Sequence, residues 1–225
     1  MTNYFLLINL FLIIIPFALV FDRKVYVFEN IRSAIVPALI TAILFSGIMI
    51  SFAGLKVITF NPAYLIGVYY QLLPLELYLF VFSFSFAGLG IYNYLNAKYP
   101  RQDLEKYSLA ISNLVLGICI AMLFFAFSKW YTAITFSILG LLLITIEYIN
   151  KLRFMYRFYR AFLVCLIPFY ITYGIICNLP IMQYDSKQTV GFNLAKIPFE
   201  NHFLLMAMLL FGVYLLEFFK KRNES

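Results

Sequence analysis

Seven apolar windows, near residues 3–21, 33–53, 73–95, 108–128, 130–149, 159–179 and 199–218, leave this chain little choice of fold. Each holds about 20 mostly apolar residues, enough to cross the ~30 Å hydrocarbon core of a bilayer as a helix. Backbone polar groups meet no water there, so a window of this length must satisfy them within itself, as an α-helix does. Of the 225 residues, 64% are hydrophobic and 12% charged, where a soluble domain is about half apolar and a quarter charged. The polar stretches between windows are too short for a separate soluble domain. The expected fold is all-α and integral to a membrane, with seven transmembrane helices. No positive segment precedes the first window (the chain opens MTNYFLLINLF), so it reads as a retained helix and not a cleaved signal.

The basic residues sort by side. The connections after spans one, three and five and the C-terminal tail carry Arg23, Lys24, Arg32, Lys98, Arg101, Lys106, Lys151, Arg153, Arg157, Arg160, Lys220, Lys221 and Arg222. The other side carries Lys56, Lys129, Lys187 and Lys196. Thirteen against four predicts a cytoplasmic C-terminus and an external N-terminus, in the inner membrane of the cell. The net charge of +7 is therefore an orientation signal and does not argue for a nucleic-acid partner. Cys119, Cys165 and Cys177 lie in or at the ends of apolar windows without metal-ligand spacing, and read as packing residues.

A motif recurs. LLPLELYLF places Pro74 and Glu76 at the start of the third span, and AKIPFENHF places Pro198 and Glu200 at the start of the seventh. The offset is 124 residues, and Gly67 and Gly191, Gly88 and Gly212, and Asn93 and Glu217 keep it. The chain thus divides into a first repeat at 1–106, a connector span at 107–129 and a second repeat at 130–225. The connector restores direction, so the three-helix repeats are parallel and related by a pseudo-two-fold axis along the membrane normal.

A carboxylate at the mouth of a span is costly and is a functional-site hypothesis by default. Pro74 and Pro198 suit a helix's first turn, where a missing N–H is no loss. Glu76 and Glu200 then fall in that turn, where the macrodipole favours the ionised carboxylate and burial favours the acid. A buried acid in an apolar pocket is a Brønsted catalyst. One such glutamate reads as an interfacial anchor; two at matched positions point to a two-fold site facing a common cavity. Asn93 and Glu217 are expected to bond across the repeat interface, and Asn113, inside span four, to act as interhelical glue. His202 falls on a different helix face from Glu200, and Asp22 reads as a solvated end-cap. Phe80, Phe82, Phe84 and Phe86 pack against lipid and helices, or line a slot for a polyene, where a ring face stabilises a cation by about 0.5–2 kcal/mol.

FNPAYLIGVYYQLLPLELYLF, YTAITFSILGLLL and VGFNLAKIPFENHFLLMAMLLFGVYLLEF together resemble the lycopene cyclase domain, the membrane-embedded, flavin-free type, in its tandem arrangement. The resemblance covers nearly the whole chain. The family's hallmarks are Pro-Leu-Glu-Glu in the first repeat and Pro-x-Glu-Asp in the second. Glu76 and Glu200 match the leading acids, and Glu217 matches an acid of the last span; Leu77, Asn201 and Asn93 stand where the family carries further acids. The resemblance implies an intramolecular isomerase of carotenoid biosynthesis. Glu76 and Glu200 would be its acid and base, with Pro74, Pro198, Asn201 and Glu217 supporting them. Its partners would be membrane lipid, a carotenoid or other isoprenoid substrate, and the enzymes that supply it. No cofactor is implied, and the chain has no G-x-G-x-x-G fingerprint.

Other readings stay open. A carotenoid-binding relative without turnover fits the missing second acids. Small-solute carriers share the three-plus-one-plus-three plan, but Leu75 and Phe199 stand where a Pro-Gln pair is needed. A retinal protein needs a lysine inside the last span, and Lys220 and Lys221 lie beyond it.

Overall fold

The computed structural model describes residues 4–22, 28–100, 105–150 and 153–224. Its helices are α1 (Tyr4–Val20), α2 (Phe28–Gly54), α3 (Leu75–Lys98), α4 (Glu105–Ala126), α5 (Trp130–Ile144, continued by a π-helical turn, Thr145–Ile149), α6 (Met155–Asn178) and α7 (Phe199–Glu224). This is the expected all-α membrane fold. Among the described residues, six helices are long and apolar enough to cross a bilayer. The remaining one, α1, has 17 residues, about 26 Å at the usual rise and the short end of the spanning range. α7 outruns its apolar window because Lys220, Lys221 and Arg222 continue the helix, their cations near its negative end.

The connections ahead of α3 and α7 hold strand pairs that apolar windows do not announce. β1 (Ile58–Phe60) pairs antiparallel with β4 (Met182–Tyr184). β2 (Tyr69–Tyr70) turns back on β3 (Leu73–Pro74), and β5 (Asn193–Leu194) on β6 (Ile197–Pro198). Both tight turns use residues other than glycine in the left-handed region: Gln71 and Leu72 at φ 42° and 71°, Ala195 and Lys196 at 53° and 65°. That conformation costs roughly 1–2 kcal/mol per residue, so no Asn-Gly signal marks these hairpins. Gly67 at φ 90° and Gly191 at 85° make the preceding bends, where a side chain would be strained.

The 124-residue offset is legible in the backbone. Val57 N–H donates to Phe52 O and Ile181 N–H to Ile176 O. Leu75 N–H donates to Val68 O and Phe199 N–H to Phe192 O. In the β1–β4 ladder Thr59 faces Gln183, its own equivalent, while Ile58 faces Tyr184 and Phe60 faces Met182. Exchanging the halves maps this ladder onto itself, as a local two-fold axis requires.

α3 and α7, the two helices that begin at the glutamates, pack on each other at the centre, while α4 lies outside against α5 and α6. A Cβ on Gly88 would lie 2.3 Å from Leu209 Cδ2, and one on Gly212 would lie 3.2 Å from Thr41 Oγ1. Both glycines thus allow close helix approach, as small residues do in membranes. Gly88→Val should cost about 1–3 kcal/mol through overpacking, read as a lower melting temperature in detergent; unchanged stability would show that Leu209 moves aside freely.

The four lysines of the sparse side share one end. The hairpins meet there through β1 and β4, and the start of α5 joins them through Tyr131 N–H to Gln188 O. At the opposite end Lys98 pairs with Asp22 at 2.8 Å and Arg160 caps α3 through the carbonyls of Leu95 and Tyr99. Asp22 is not merely a solvated cap: it also accepts from Tyr94 at 2.6 Å and ties the end of α1 to α3. Arg23, Lys24, Arg101 and Lys151 of the charge count lie outside the described residues. Reporters fused after Lys106 and after Lys187 should report cytoplasm and exterior respectively; the same side for both would refute the orientation predicted from charge.

Candidate active site

The hairpins position the two glutamates. Pro74 and Pro198 end strands β3 and β6, one residue ahead of the helices and not inside the first turn as expected. Leu75 and Phe199 then start α3 and α7, and Glu76 and Glu200 lie in the first turns. Both are buried, at 1% and 0% exposure. The loops behind the glycine bends fold over them: Ile66 N–H donates to Glu76 Oε1 at 2.5 Å, and Val190 N–H to Glu200 Oε1 at 2.6 Å. In both side chains the second oxygen, Oε2, is buried without a hydrogen-bond partner. A group so held has one oxygen anchored as an acceptor and one at liberty, the geometry a transferable proton needs.

Beyond this shared clamp the halves differ. Thr132 of α5 donates to Glu200 Oε1 at 2.7 Å. Asn201, 2% exposed, accepts from Tyr131 at 2.5 Å and donates to Tyr184 at 2.7 Å. The positions 124 residues earlier hold Ile8, Leu77, Leu7 and Phe60, without a polar group among them. The first half has Asn9 instead, which donates to the backbone carbonyl of Glu76 at 2.9 Å and leaves the carboxyl untouched. Burial, with smaller repulsive contributions from Tyr131, Tyr173 and Cys177, holds the Tyr184 hydroxyl well above the usual tyrosine range, so it stays a neutral hydrogen-bonding group.

One turn further along the central helices lies a cavity of about 20 Å³ lined by equivalent pairs: Phe80 and Leu204, Val81 and Leu205, Phe84 and Met208, Met49 and Tyr173, with Phe45. Residues four apart share a helix face, so this cavity lies below both glutamates. The glutamates are not among the lining residues of this cavity; each carboxyl bonds to its own loop. Phe80 packs edge-on to Tyr173 at 5.6 Å, and Phe169 lies 4.7 Å from Tyr173. Phe52 and Tyr184 flank Tyr131 at 4.8 and 5.4 Å. Aromatic rings thus line the region from the cavity to the hairpins.

The other polar positions tie elements together. Asn93 and Glu217 do not bond each other. Glu217 accepts from Tyr92 at 2.7 Å and pairs with Arg157 at 3.4 Å, while Lys220 donates to Asn93 at 2.8 Å, so both lock α3 to α7. Asn113 is exposed, not buried, yet joins α4 to the π turn by accepting from Tyr148. His202 meets Tyr170 at 3.0 Å on the α6 side of α7. Sequence reasoning missed Thr132, Tyr131 and Tyr184, and also Glu147 on the π turn, which accepts from Ser112 of α4 beside a cleft of about 380 Å³. The first three were discoverable as polar residues whose equivalents 124 positions earlier are apolar.

A family model described as "Lycopene cyclase" matches residues 2–95 and 128–219. The unmatched interval contains α4, the helix between the halves. No curated protein and no solved structure matches the chain.

Proposed function

Since the chain belongs to the lycopene cyclase family, we propose that it is a membrane-bound isomerase of the lycopene β-cyclase type, acting on a linear carotenoid or a closely related isoprenoid. The observation that carries the reading is a buried carboxyl with one oxygen clamped and one at liberty, at the head of each central helix and one turn above an aromatic cavity. A proton passes from a carboxyl to the terminal double bond of the polyene. The resulting tertiary cation is attacked by a neighbouring double bond, one carbon–carbon bond forms, and a six-membered ring closes. Loss of a ring proton to a carboxylate leaves the β-ionone double bond. Proton gain equals proton loss, so product is an isomer of substrate and no oxidant is consumed.

Each part of this chemistry has a residue to serve it. Glu76 and Glu200 are the candidates for acid and base, with Pro74 and Pro198 placing them. The rings of Phe80, Phe84 and Tyr173 face a developing cation, at roughly 0.5–2 kcal/mol each. The apolar walls keep out water that would quench it. A polyene is far larger than a 20 Å³ space, so binding requires the lining to open, for which flexible Met49 and Met208 are suited. The division into repeats at 1–106 and 130–225 around a connector is part of the same reading, as is contact with the enzymes that deliver the linear substrate.

The test is expression in lycopene-accumulating cells followed by pigment chromatography. Mono- or bicyclic β-ionone carotenoids are expected. Lycopene that remains linear but co-purifies with the protein would favour a binding relative without turnover, the reading that apolar Leu77 and the narrow cavity favour.

A further inference from the structure

Resting on the cyclase reading, we infer that the two halves are chemically unequal: Glu200 is the proton-transferring carboxyl, Thr132 and Asn201 are its positioning residues, and Glu76 is a strut that closes the first repeat's loop. The symmetric fold gives both glutamates the same anchor, a loop N–H on Oε1. The anchor fixes the loop over the helix start and does so whether or not chemistry follows. What differs is the second donor. When a proton leaves Oε2, the charge spreads to Oε1, where Glu200 meets both Val190 N–H and the Thr132 hydroxyl. Donors already aimed at developing charge are the usual means of lowering such a barrier. Glu76 meets Ile66 N–H alone, because Ile8 replaces the threonine.

The neighbouring residue repeats the contrast. Asn201 is held from both sides by Tyr131 and Tyr184, which fixes the first turn of α7 laterally as well as axially. At Leu77 the equivalent side chain offers no hydrogen bond, and Leu7 and Phe60 stand in for the tyrosines. The first half spends its one polar side chain here, Asn9, on the backbone of Glu76, whereas buried Asn201 and Tyr131 and half-buried Tyr184 form a side-chain network that is expensive to keep in a lipid-embedded frame unless it does something. One competent carboxyl suffices for the reaction, since the group that gives the proton is left as the base that reclaims one from the ring.

The experiment uses the full chain in lipid nanodiscs with lycopene as probe. Infrared difference spectra of wild type against Glu200→Gln and against Glu76→Gln isolate each carboxyl band, and both variants are checked for thermal unfolding. Addition of lycopene should shift the Glu200 band and leave the Glu76 band in place. Thr132→Val should shift the Glu200 band without lycopene and lower kcat about tenfold, the rate equivalent of one ordinary hydrogen bond, with little change in KM. A lycopene response at Glu76, alone or equal to that at Glu200, overturns the inference, as does an unaltered kcat in Thr132→Val. Ring formation with neither band moving also overturns it. No ring formed and no band moved would instead bring down the cyclase reading on which it rests.

Discussion

Glu200→Gln should cut ring formation at least about 10²-fold, the lower range for loss of an acid or base catalyst, while the protein still reaches the membrane folded. The geometry separates the two outcomes. The amide oxygen of glutamine can take over the bonds from Val190 N–H and Thr132 that Oε1 accepts. Its nitrogen replaces Oε2, which has no partner, and carries no proton it can donate and recover. An unpaired buried N–H costs about 1–3 kcal/mol, so a lower melting temperature should accompany the lost activity without unfolding the chain. Pigment chromatography and thermal unfolding of the same preparation check both. Full ring formation by the glutamine variant would remove Glu200 from the mechanism.

Installing the acids that the resemblance places at residues 77 and 201 should divide sharply between the halves. Asn201→Asp places a carboxyl between two tyrosine hydroxyls, and both can donate to it once Tyr184 turns its proton round. Stability should change little and ring formation should rise. Leu77→Glu places a carboxyl at a position 1% exposed, with Leu7 and Phe60 where the second half has its tyrosines. An uncompensated buried charge costs on the order of 3–5 kcal/mol, so the single mutant and the double should both show a large drop in melting temperature. Equal tolerance at the two positions would mean that the first half contains donors able to turn toward residue 77.

Hydropathy made the helices legible because a bilayer leaves a 20-residue apolar run one outcome. The windows fall within a few residues of α1 to α7, and the 124-residue offset located both first-turn glutamates. The hairpins were illegible for the converse reason. Gln71, Leu72, Ala195 and Lys196 have no turn propensity, and their left-handed backbone is imposed by the elements around them. Without the hairpins the prolines were placed one residue too far into the helix, and the loop N–H groups that clamp the carboxyls were invisible. No local pattern around Thr132 marks it; what sets it apart is the comparison across the 124-residue offset, where Ile8 is its apolar equivalent. The direction in which the carboxyls turn was illegible for a related reason. Offset and parallel direction fix the depth of two side chains but not their rotation, and each carboxyl was captured by the nearest backbone donor.

The β1–β4 ladder sets a timetable for biogenesis. Thr59 waits for Gln183, 124 residues later in the chain, and at about 5–20 residues per second that is roughly 6–25 s of translation. Until then β1 is a bare strand edge, tolerable because it lies outside the apolar windows, where water can satisfy its peptide groups. The ladder therefore acts as a latch that closes only after α6 has been made, and a chain cut short before β4 would leave the first repeat open at its hairpin end.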